Sequence, residues 1–273
     1  MQTLSLPENH HNRPIICFDL DGTLLNEREE IHPADRQILA GERPSVLFIP
    51  ATGRTLESIQ RTFHKNGLFE GRKIPLPLVL QNGSLLYGKD ELFQSYHPFA
   101  PEVQEVLIDS AMKFKQVTFL FMDAAETHIL STTSTGLEAA ERYEFTTRFF
   151  TEASRRLRFS KIMCIPERPG GLDEFPEMIE SLPIERAYST STILELTPGG
   201  INKGVGLQRL IEAMQLSPQA IYAAGDAEND LPLARIADRF FAPSTALETV
   251  KSKAIILEDT TNNGLLEAIL DYL

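Results

Sequence analysis

The sequence predicts an α/β fold with a Rossmann-like, doubly wound parallel sheet as its core and an inserted α+β cap domain. Three apolar runs, at 15–18, 46–49 and 220–224, each end at a turn with polar or glycine residues, as strands buried on both faces of a parallel sheet do. Helical patterns follow at 55–63 and 231–237. Strands that alternate with helices imply right-handed crossovers and one open sheet, which binds ligands at the carboxyl ends of its strands.

The middle of the chain departs from this alternation. Runs at 117–122, 161–165 and 188–196 are rich in β-branched and aromatic residues and are separated by helical segments. This composition predicts a second α+β unit inserted into the first. Three shorter apolar runs are further candidate strands of the core, at 78–80, 240–242 and 254–257.

Two breakers mark the junctions of the inserted unit. Asn82-Gly83 is a turn signal, and Thr197-Pro-Gly-Gly is a flexible segment that precedes a helical pattern. We therefore expect two units with the following boundaries: a core domain at 1–83 and 193–273, and an inserted α+β cap domain at 84–192.

Composition limits what the protein can bind. The chain of 273 residues carries 26 basic and 38 acidic side chains, a formal charge of −12, which repels nucleic acids and anionic membrane surfaces. No stretch approaches the roughly 18 apolar residues of a membrane span. Cys17 and Cys164 stand far apart in apolar runs, which predicts buried free thiols and a reducing cytoplasm. His10 and His11 lie among polar, turn-forming residues and are assigned no role.

The string Asp19-Leu20-Asp21-Gly22-Thr23 places two carboxylates where the first buried strand ends. A dry strand end is a costly place for two like charges, and a bound metal ion would offset that cost. Gly22 would let the backbone turn tightly beside the ion. An acidic helix cap or a solvated turn would explain one aspartate but not the whole string.

Two further signals have both a functional and a structural interpretation. Thr52-Gly53-Arg54 follows the second strand and offers a hydroxyl and N–H groups near a helix start, where anions bind, although Thr is also a common N-cap. Lys203 lies in the first turn of a predicted helix, where its charge opposes the helix dipole. A lysine that only solvates the chain is better placed elsewhere, so this position favours a functional role.

The segment Gly225-Asp226-Ala-Glu-Asn229-Asp230 places three carboxylates and an amide between a buried strand and a helix. Acidic residues are common at helix N-termini, and this structural role suits Asp230 or Glu228. Asp226 stands directly at the strand end, as Asp19 does, and that placement favours a role in the site.

These motifs stand in the order found in the haloacid dehalogenase superfamily. They read FDLDGTLL at 18–25, PATGR at 50–54, Lys203 within GGINKG, and GDAEND at 225–230, and segment 80–87 is similar to the family's strand that leads into the cap. The chain resembles the Cof-type phosphatases of this superfamily, which carry a large inserted α+β cap. The motifs span the core from end to end, whereas the cap resembles the family only in length and placement.

The resemblance implies a magnesium-dependent phosphatase with an aspartyl-phosphate intermediate. Asp19 would attack the phosphorus, and Asp21 would protonate the leaving oxygen and then activate the hydrolytic water. Mg²⁺ would be held by the Asp19 carboxylate, the Asp21 main-chain carbonyl and the Asp226 carboxylate, with Asp230 just outside these ligands. The implied substrate contacts are Leu20 through its N–H, Thr52, Gly53, Arg54, Lys203 and Asn229.

The implied substrate is a small phosphorylated metabolite, a sugar phosphate or a related phosphomonoester, bound by a monomer or homodimer in the cytoplasm. Two alternatives stay open. A phosphotransferase or mutase of the same superfamily would pass the phosphoryl group to a sugar rather than to water. A non-catalytic binder of a phosphorylated metabolite would be expected to lack the nucleophile or the acid/base, yet both Asp19 and Asp21 are present.

Overall fold

A computed structural model describes most of the chain, in four ranges: 12–41, 45–89, 94–258 and 260–273. His10 and His11 lie outside the described residues. None of the helices in these ranges has the length and apolar character needed to cross a bilayer.

The described strands are, in chain order, β1 (Ile15–Phe18), β2 (Leu47–Pro50), β3 (Leu78–Leu80), β4 (Leu85–Tyr87), β5 (Gln94–Tyr96), β6 (Val117–Met122), β7 (Thr127–Leu130), β8 (Thr147–Phe149), β9 (Lys161–Pro166), β10 (Ile184–Tyr188), β11 (Leu194–Pro198), β12 (Ile221–Ala224), β13 (Arg239–Pro243) and β14 (Ile255–Leu257). The described α-helices are α1 (Pro33–Ala40), α2 (Leu56–Lys65), α3 (Pro101–Ala111), α4 (Ser134–Arg142), α5 (Phe175–Met178), α6 (Lys203–Ala213), α7 (Leu231–Ala234), α8 (Glu248–Lys251), α9 (Thr260–Asn263) and α10 (Leu265–Leu270). Short 3₁₀ turns occur at Gln81–Gly83, Glu152–Arg156 and Glu228–Asp230.

Five parallel strands form the core sheet, in the order β14-β13-β12-β1-β2. The register pairs Phe18 with Ala224 on one side and with Pro50 on the other, so the carboxyl ends of β1, β2 and β12 lie side by side. Alternate residues of β1 point to opposite faces, one packed with α1, α2 and α10 and the other with α6, α7 and α8. The predicted doubly wound α/β fold is confirmed.

β3 occupies the expected residues but does not extend the core ladder. It pairs antiparallel with β4, and β4 pairs with β5, in a separate three-stranded sheet. A single parallel bridge between Ala51 and Val79 links β3 to the end of β2. The chain reverses at Gly83, whose φ is +96° and where a Cβ would lie 2.3 Å from the Asn202 carbonyl oxygen. Only glycine fits that turn, and it sends the chain back along β3.

The segment between β5 and α6 forms a second, six-stranded sheet in the order β10-β11-β9-β6-β7-β8. Its pairs are antiparallel except for β7 with β8. One face packs on α3 and α5, and the other carries α4. Side chains alternate along a strand, so Lys161 and Met163 of β9 lie on the face that carries α4. Met163 pairs with Glu195 of the neighbouring strand β11. Lys161 donates to the Gly53 carbonyl of the core, so this face of the cap sheet faces the core.

The inserted unit ends in a hairpin. The run at 188–196 contains its turn, because the Ser189 N–H donates to the Ile193 carbonyl between β10 and β11. The boundary expected between residues 192 and 193 lies one strand too early. β11 hydrogen-bonds to β9 and β10, so the cap sheet continues to Pro198, at the flexible segment noted in the sequence.

Asp35 ties the C-terminal helix to the core. Its carboxylate is 1% exposed. It accepts hydrogen bonds from the N–H groups of Leu265 at 2.8 Å, Leu266 at 2.9 Å and Glu267 at 3.2 Å. These are the first-turn donors of α10, whose N-cap residue, Gly264, has no side chain to bind them. A residue of α1 therefore caps α10 from a distance.

We expect Asp35→Ala to lower the free energy of unfolding by about 1–3 kcal/mol, because three N–H groups lose their acceptor. Urea unfolding followed by circular dichroism measures the change. Glu180→Ala, at an exposed position, is the control and should shift the free energy by less than about 0.5 kcal/mol. Equal midpoints for the two variants would contradict the capping role.

Candidate active site

The site lies where β1, β2 and β12 end side by side. Asp19 follows β1, Thr52 stands just past β2, and Asp226 stands just past β12. The chain continues to opposite sides of β1 at this point, and open α/β sheets bind ligands at such switch points. Lys203, in the first turn of α6, reaches the same edge. Four separate segments of the sequence therefore meet here.

Lys203 is fully buried and is bound by two carboxylates. Its Nζ donates to Asp19 Oδ1 and to Asp230 Oδ1, each at 2.7 Å. Burial alone would lower the pKa of Lys203, but the charges of the two carboxylates raise it, so the ammonium stays protonated. Burial raises the pKa of Asp19 well above its usual value, against the opposing effect of Lys203. The ion pair fixes one oxygen of Asp19, and Oδ2 has no hydrogen-bond partner among the described residues.

A cluster of carboxylates surrounds this pair. Asp19, Asp226 and Asp230 each place an oxygen within 4.8 Å of the others. Asp230 Oδ2 accepts from the N–H groups of Asp226 at 3.0 Å and Ala227 at 3.1 Å. Because Lys203 binds the other oxygen of Asp230, both of its oxygens are engaged. Asp230 therefore holds the loop and the lysine in place.

Asp226 keeps an open oxygen in the same cluster. Its Oδ1 accepts a hydrogen bond from Thr23 Oγ1 at 2.8 Å, and Oδ2 has no partner within the described part of the chain. Burial, and then the charge of Asp230, raise the pKa of Asp226 to about 7. A divalent cation held by the open oxygens of Asp19 and Asp226 would offset the repulsion between the carboxylates of the cluster. All of the atoms that would bind the cation are oxygens, the ligands that a hard cation prefers.

Two glycines allow the carboxylates to come this close. Gly22 has a φ of +77°, and a Cβ there would lie 2.4 Å from Asp226 Oδ2. A Cβ on Gly225 would lie 2.3 Å from the Asp230 side chain. Any larger residue would push the loops apart, so the glycines of the two aspartate motifs are steric requirements of the cluster.

Asp21 lies beside the cluster and binds Arg54. Arg54 Nη2 donates to Asp21 Oδ1 at 2.6 Å, and Nε donates to Oδ2 at 3.0 Å. The same guanidinium donates to Glu29 and, through Nη1, to Thr62 Oγ1 at 2.6 Å. Burial opposes ionisation of Asp21, but the charge and hydrogen bonds of Arg54 lower its pKa. Every guanidinium nitrogen thus binds a protein acceptor, so Arg54 positions Asp21, and it also borders the cavity at the centre of the site. Its contact with the substrate stays a prediction.

The remaining expected phosphate contacts lie in the turns after β1 and β2. Thr52 is fully buried, and its Oγ1 accepts from the Arg54 N–H at 3.2 Å. The carbonyl of Leu20 accepts from the Leu25 N–H at 2.8 Å and closes the turn that carries Asp21. Gly53 borders the cavity at the centre of the site. The structure thus brings these residues to the same edge of the sheet.

Two residues of the cap sheet, which the sequence analysis did not identify, also border the site. Lys161 and Glu195 form an ion pair of 2.7 Å. Lys161 also donates to the Gly53 carbonyl at 2.8 Å, and Glu195 accepts from Asn82 Nδ2 at 2.6 Å and Asn229 Nδ2 at 3.2 Å. Burial raises the pKa of Glu195, but the charge of Lys161 and the hydrogen bonds bring it below its usual value. Asn229 lies in the site as expected, held by the cap.

A signal for this pair is present in the sequence. Lys161 begins an apolar strand, and Glu195 interrupts the apolar run of β11. A charged side chain in a buried strand must find a partner, because an unpaired buried charge is costly. Glu29 is different, since it stands in a polar segment where no pattern distinguishes it from its neighbours.

A cavity of about 30 Å³ lies between the core and the cap. Asp19 and Asn229 border it on the core side, and Tyr143, Phe145 and Met163 border it on the cap side. A volume of this order holds water molecules but no organic molecule. Residues of the core and of the cap thus border one small cavity at the centre of the site.

Comparison with known proteins places the fold and the motifs in one family. Residues 16–269 match the family model of haloacid dehalogenase-like hydrolases. The chain is 24% identical over 257 residues to the 5-amino-6-(5-phospho-D-ribitylamino)uracil phosphatase of Bacillus subtilis (strain 168), covering 93% of this chain and 94% of the relative. It is 25% identical over 275 residues to the pyridoxal phosphate phosphatase of Escherichia coli (strain K12), covering 95% of this chain and 98% of the relative.

A solved structure shares the fold. It is that of the HAD subclass IIB sugar phosphatase BT4131, which superposes with a TM-score of 0.77 at 19% identity and covers 94% of this chain and 98% of its own. The match to the family model confirms the family expected from the motifs, and it extends over both the core and the inserted unit. The chain belongs to the haloacid dehalogenase-like hydrolases.

Proposed function

We propose that the protein is a magnesium-dependent phosphatase that hydrolyses small phosphomonoesters through a phosphorylated Asp19. The pairing of Asp19 with the buried Lys203, beside the open carboxylate oxygen of Asp226, carries this proposal. A carboxylate with one fixed and one open oxygen suits attack on phosphorus from a defined direction. A fixed, buried cation beside it would stabilise charge on the phosphoryl group during transfer.

Mg²⁺ would be held by the carboxylates of Asp19 and Asp226 and by the main-chain carbonyl of Asp21. When bound, it supplies positive charge to the phosphoryl oxygens and offsets the repulsion between the carboxylates. Asp230 would stay outside this set, because Lys203 and two N–H groups already engage its oxygens.

The residues of the chain divide the reaction into two steps. In the first, an oxygen of Asp19 bonds to phosphorus while the bond to the leaving oxygen breaks, and Asp21 supplies the proton that this oxygen takes up. In the second, ionised Asp21 accepts a proton from the water that attacks phosphorus, and Asp19 is released with inorganic phosphate. Arg54 lowers the pKa of Asp21, which favours the second step in the conformation described.

Several groups would bind the phosphate oxygens. Each lies at the carboxyl edge of the core sheet and offers an N–H, an O–H or an ammonium group to an anion. We infer that they are the N–H groups of Leu20 and Gly53, the hydroxyl of Thr52, Lys203 and the amide of Asn229.

The substrate we propose is a sugar phosphate or a related phosphorylated metabolite. The relatives above are named for a phosphoribitylamino-uracil and for pyridoxal phosphate, and the structural neighbour is a sugar phosphatase. The cavity of about 30 Å³ holds none of these compounds, so the cap must move for substrate to enter. Cys17 and Cys164 are buried free thiols, which supports a reducing compartment such as the cytoplasm.

We expect purified protein with Mg²⁺ to release inorganic phosphate from members of a panel of sugar, nucleotide and cofactor phosphates. EDTA should abolish the release, and Asp19→Asn should reduce kcat by about a thousandfold or more, because the amide is a poor nucleophile. Measurement of free phosphate and of the dephosphorylated product checks this. Asp271→Asn, at an exposed position, serves as the matched control and should keep full activity.

Other outcomes of the same assay select the alternatives. Transfer of phosphate to an added sugar, without release of free phosphate, would identify a phosphotransferase. Folded protein that binds Mg²⁺ but turns over no phosphate ester would identify a binder of phosphorylated metabolites. Release that persists in Asp19→Asn would remove Asp19 as the nucleophile.

Stability of the metal-free protein should depend on Asp226. Its pKa is about 7 in the fold against an ordinary 3.8, so the folded state binds more protons between these values and loses stability as pH rises from 3.8 to 7. In EDTA at pH 8, Asp226→Asn should therefore be more stable than wild type by about 1–2 kcal/mol, an amount limited by partial exposure of the carboxyl. The difference should shrink at pH 5.5.

Urea unfolding at both pH values, with EDTA and with Mg²⁺, measures these effects. Mg²⁺ should stabilise wild type at pH 8 and leave Asp226→Asn nearly unchanged, because a ligand of the folded state acts by mass action. An equal response of the two proteins to Mg²⁺ would remove Asp226 from the metal site. A stability difference independent of pH would contradict the raised pKa.

A further inference from the structure

The cap places a charged pair in a site that the core otherwise forms, and none of the steps above uses it. Lys161 begins β9 and Glu195 lies in β11, on the face of the cap sheet that looks onto the core. Their side chains are 1% and 3% exposed. Buried ion pairs contribute little net stability, because desolvation offsets the attraction. A buried pair at this location therefore points to a role in the site.

Lys161 has one N–H group left for a ligand. Two of its three donors bind the Gly53 carbonyl at 2.8 Å and Glu195 Oε1 at 2.7 Å. The third has no acceptor among the described residues, and the side chain borders the cavity that Asp19 also borders. A Cβ on Gly53 would lie 2.3 Å from Nζ, so the ammonium lies against the loop whose N–H is directed to phosphate in the proposed reaction.

Glu195 orients two amides of the core. Its Oε2 accepts from Asn82 Nδ2 at 2.6 Å and from Asn229 Nδ2 at 3.2 Å. A carboxylate can only accept, so it turns the NH₂ group of each amide toward itself. The Oδ1 atoms of both residues are buried and have no partner in the described structure. Such atoms are rare in folded proteins, and a water molecule in the cavity would supply the donor that they lack.

The two charges cancel each other beside a site for an anion. A lone carboxylate here would repel phosphate, and a lone ammonium would attract it, by interactions that are strong at buried positions. Lys161 alone would therefore suffice for attraction. The added carboxylate is explained if its task is geometric, since it joins the cap to the turns after β3 and β12.

We propose that Lys161 and Glu195 complete the phosphate-binding site when the cap closes. Lys161 is a substrate-binding residue that donates its third N–H to an oxygen of the phosphate group. Glu195 is a positioning residue that holds Lys161, Asn82 and Asn229 in place. This assignment rests on the proposed phosphatase function, which supplies the phosphate ligand.

Inorganic phosphate, in the presence of Mg²⁺, is the probe, and calorimetric titration measures its affinity without any turnover. Lys161→Met should weaken phosphate binding by about tenfold or more, because it removes a donor and leaves the charge of Glu195 unopposed. Lys161→Arg keeps the charge and should restore most of the affinity. The double variant Lys161→Met with Glu195→Gln should bind phosphate more tightly than Lys161→Met alone.

Glu195→Gln should weaken phosphate binding much less than Lys161→Met does, because the loss of a negative charge near the phosphate offsets the poorer orientation of Lys161 and the amides, while its kcat should fall by about tenfold. Lys65→Met is the matched control. Lys65 forms an exposed ion pair of 3.3 Å with Glu144 of the inserted unit, away from the cavity. This variant should change phosphate affinity by less than about twofold. Thermal unfolding of every variant confirms that it is folded at the temperature of titration.

The outcomes separate this inference from the proposed function. Equal weakening by Lys161→Met and Glu195→Gln, with no recovery in the double variant, would assign the pair to cap stability and overturn the inference. Wild-type protein that binds no phosphate with Mg²⁺ would overturn it as well. The expected pattern of affinities in a protein that hydrolyses no ester would uphold the pair's role while rejecting the phosphatase.

Discussion

The buried ammonium of Lys203 is the interaction on which the site depends. It joins Asp19, at the end of β1, to Asp230, in the loop after β12, and it ties both to the start of α6. Three carboxylates within 4.8 Å would otherwise repel each other in a buried place. Asp230 carries the effect onward, because its second oxygen holds the N–H of Asp226. The ammonium of Lys203 therefore sets the relative positions of the ends of β1 and β12 and the start of α6.

The cap reaches this centre through two charged networks. In one, Glu29 of the core accepts from Arg142 of the cap at 3.2 Å and also from Arg54, which holds Asp21. In the other, the pair of Lys161 with Glu195 contacts the turns after β2, β3 and β12. Both networks join the cap to groups that the proposed reaction uses. A movement of the cap would therefore change the contacts of Arg54, which holds Asp21, and of the turns that carry Gly53 and Asn229.

Local pattern was sufficient for elements that are buried along their whole length. β1, β3 and β6 coincide with the apolar runs at 15–18, 78–80 and 117–122. The pairing of β3 was not predictable, because it depends on the turn at Gly83 and on the close approach of the Asn202 carbonyl. The end of the cap was misjudged for a similar reason. Because β11 follows the long insertion, we expected it to belong to the core. Only its hydrogen bonds to β9 place it in the cap sheet.

By itself, the sequence determined the order of the motifs and the residues at the strand ends, among them Asp19 and Asp226, because parallel strands bring their carboxyl ends to one edge. The tertiary structure alone decided the partners of the charged groups. Arg54 had the position of a substrate contact, yet its donors are taken up by protein acceptors. Lys161 and Glu195 stand 34 residues apart and meet at the core. Such contacts depend on how the cap packs on the core, and a local sequence pattern carries no information about that packing.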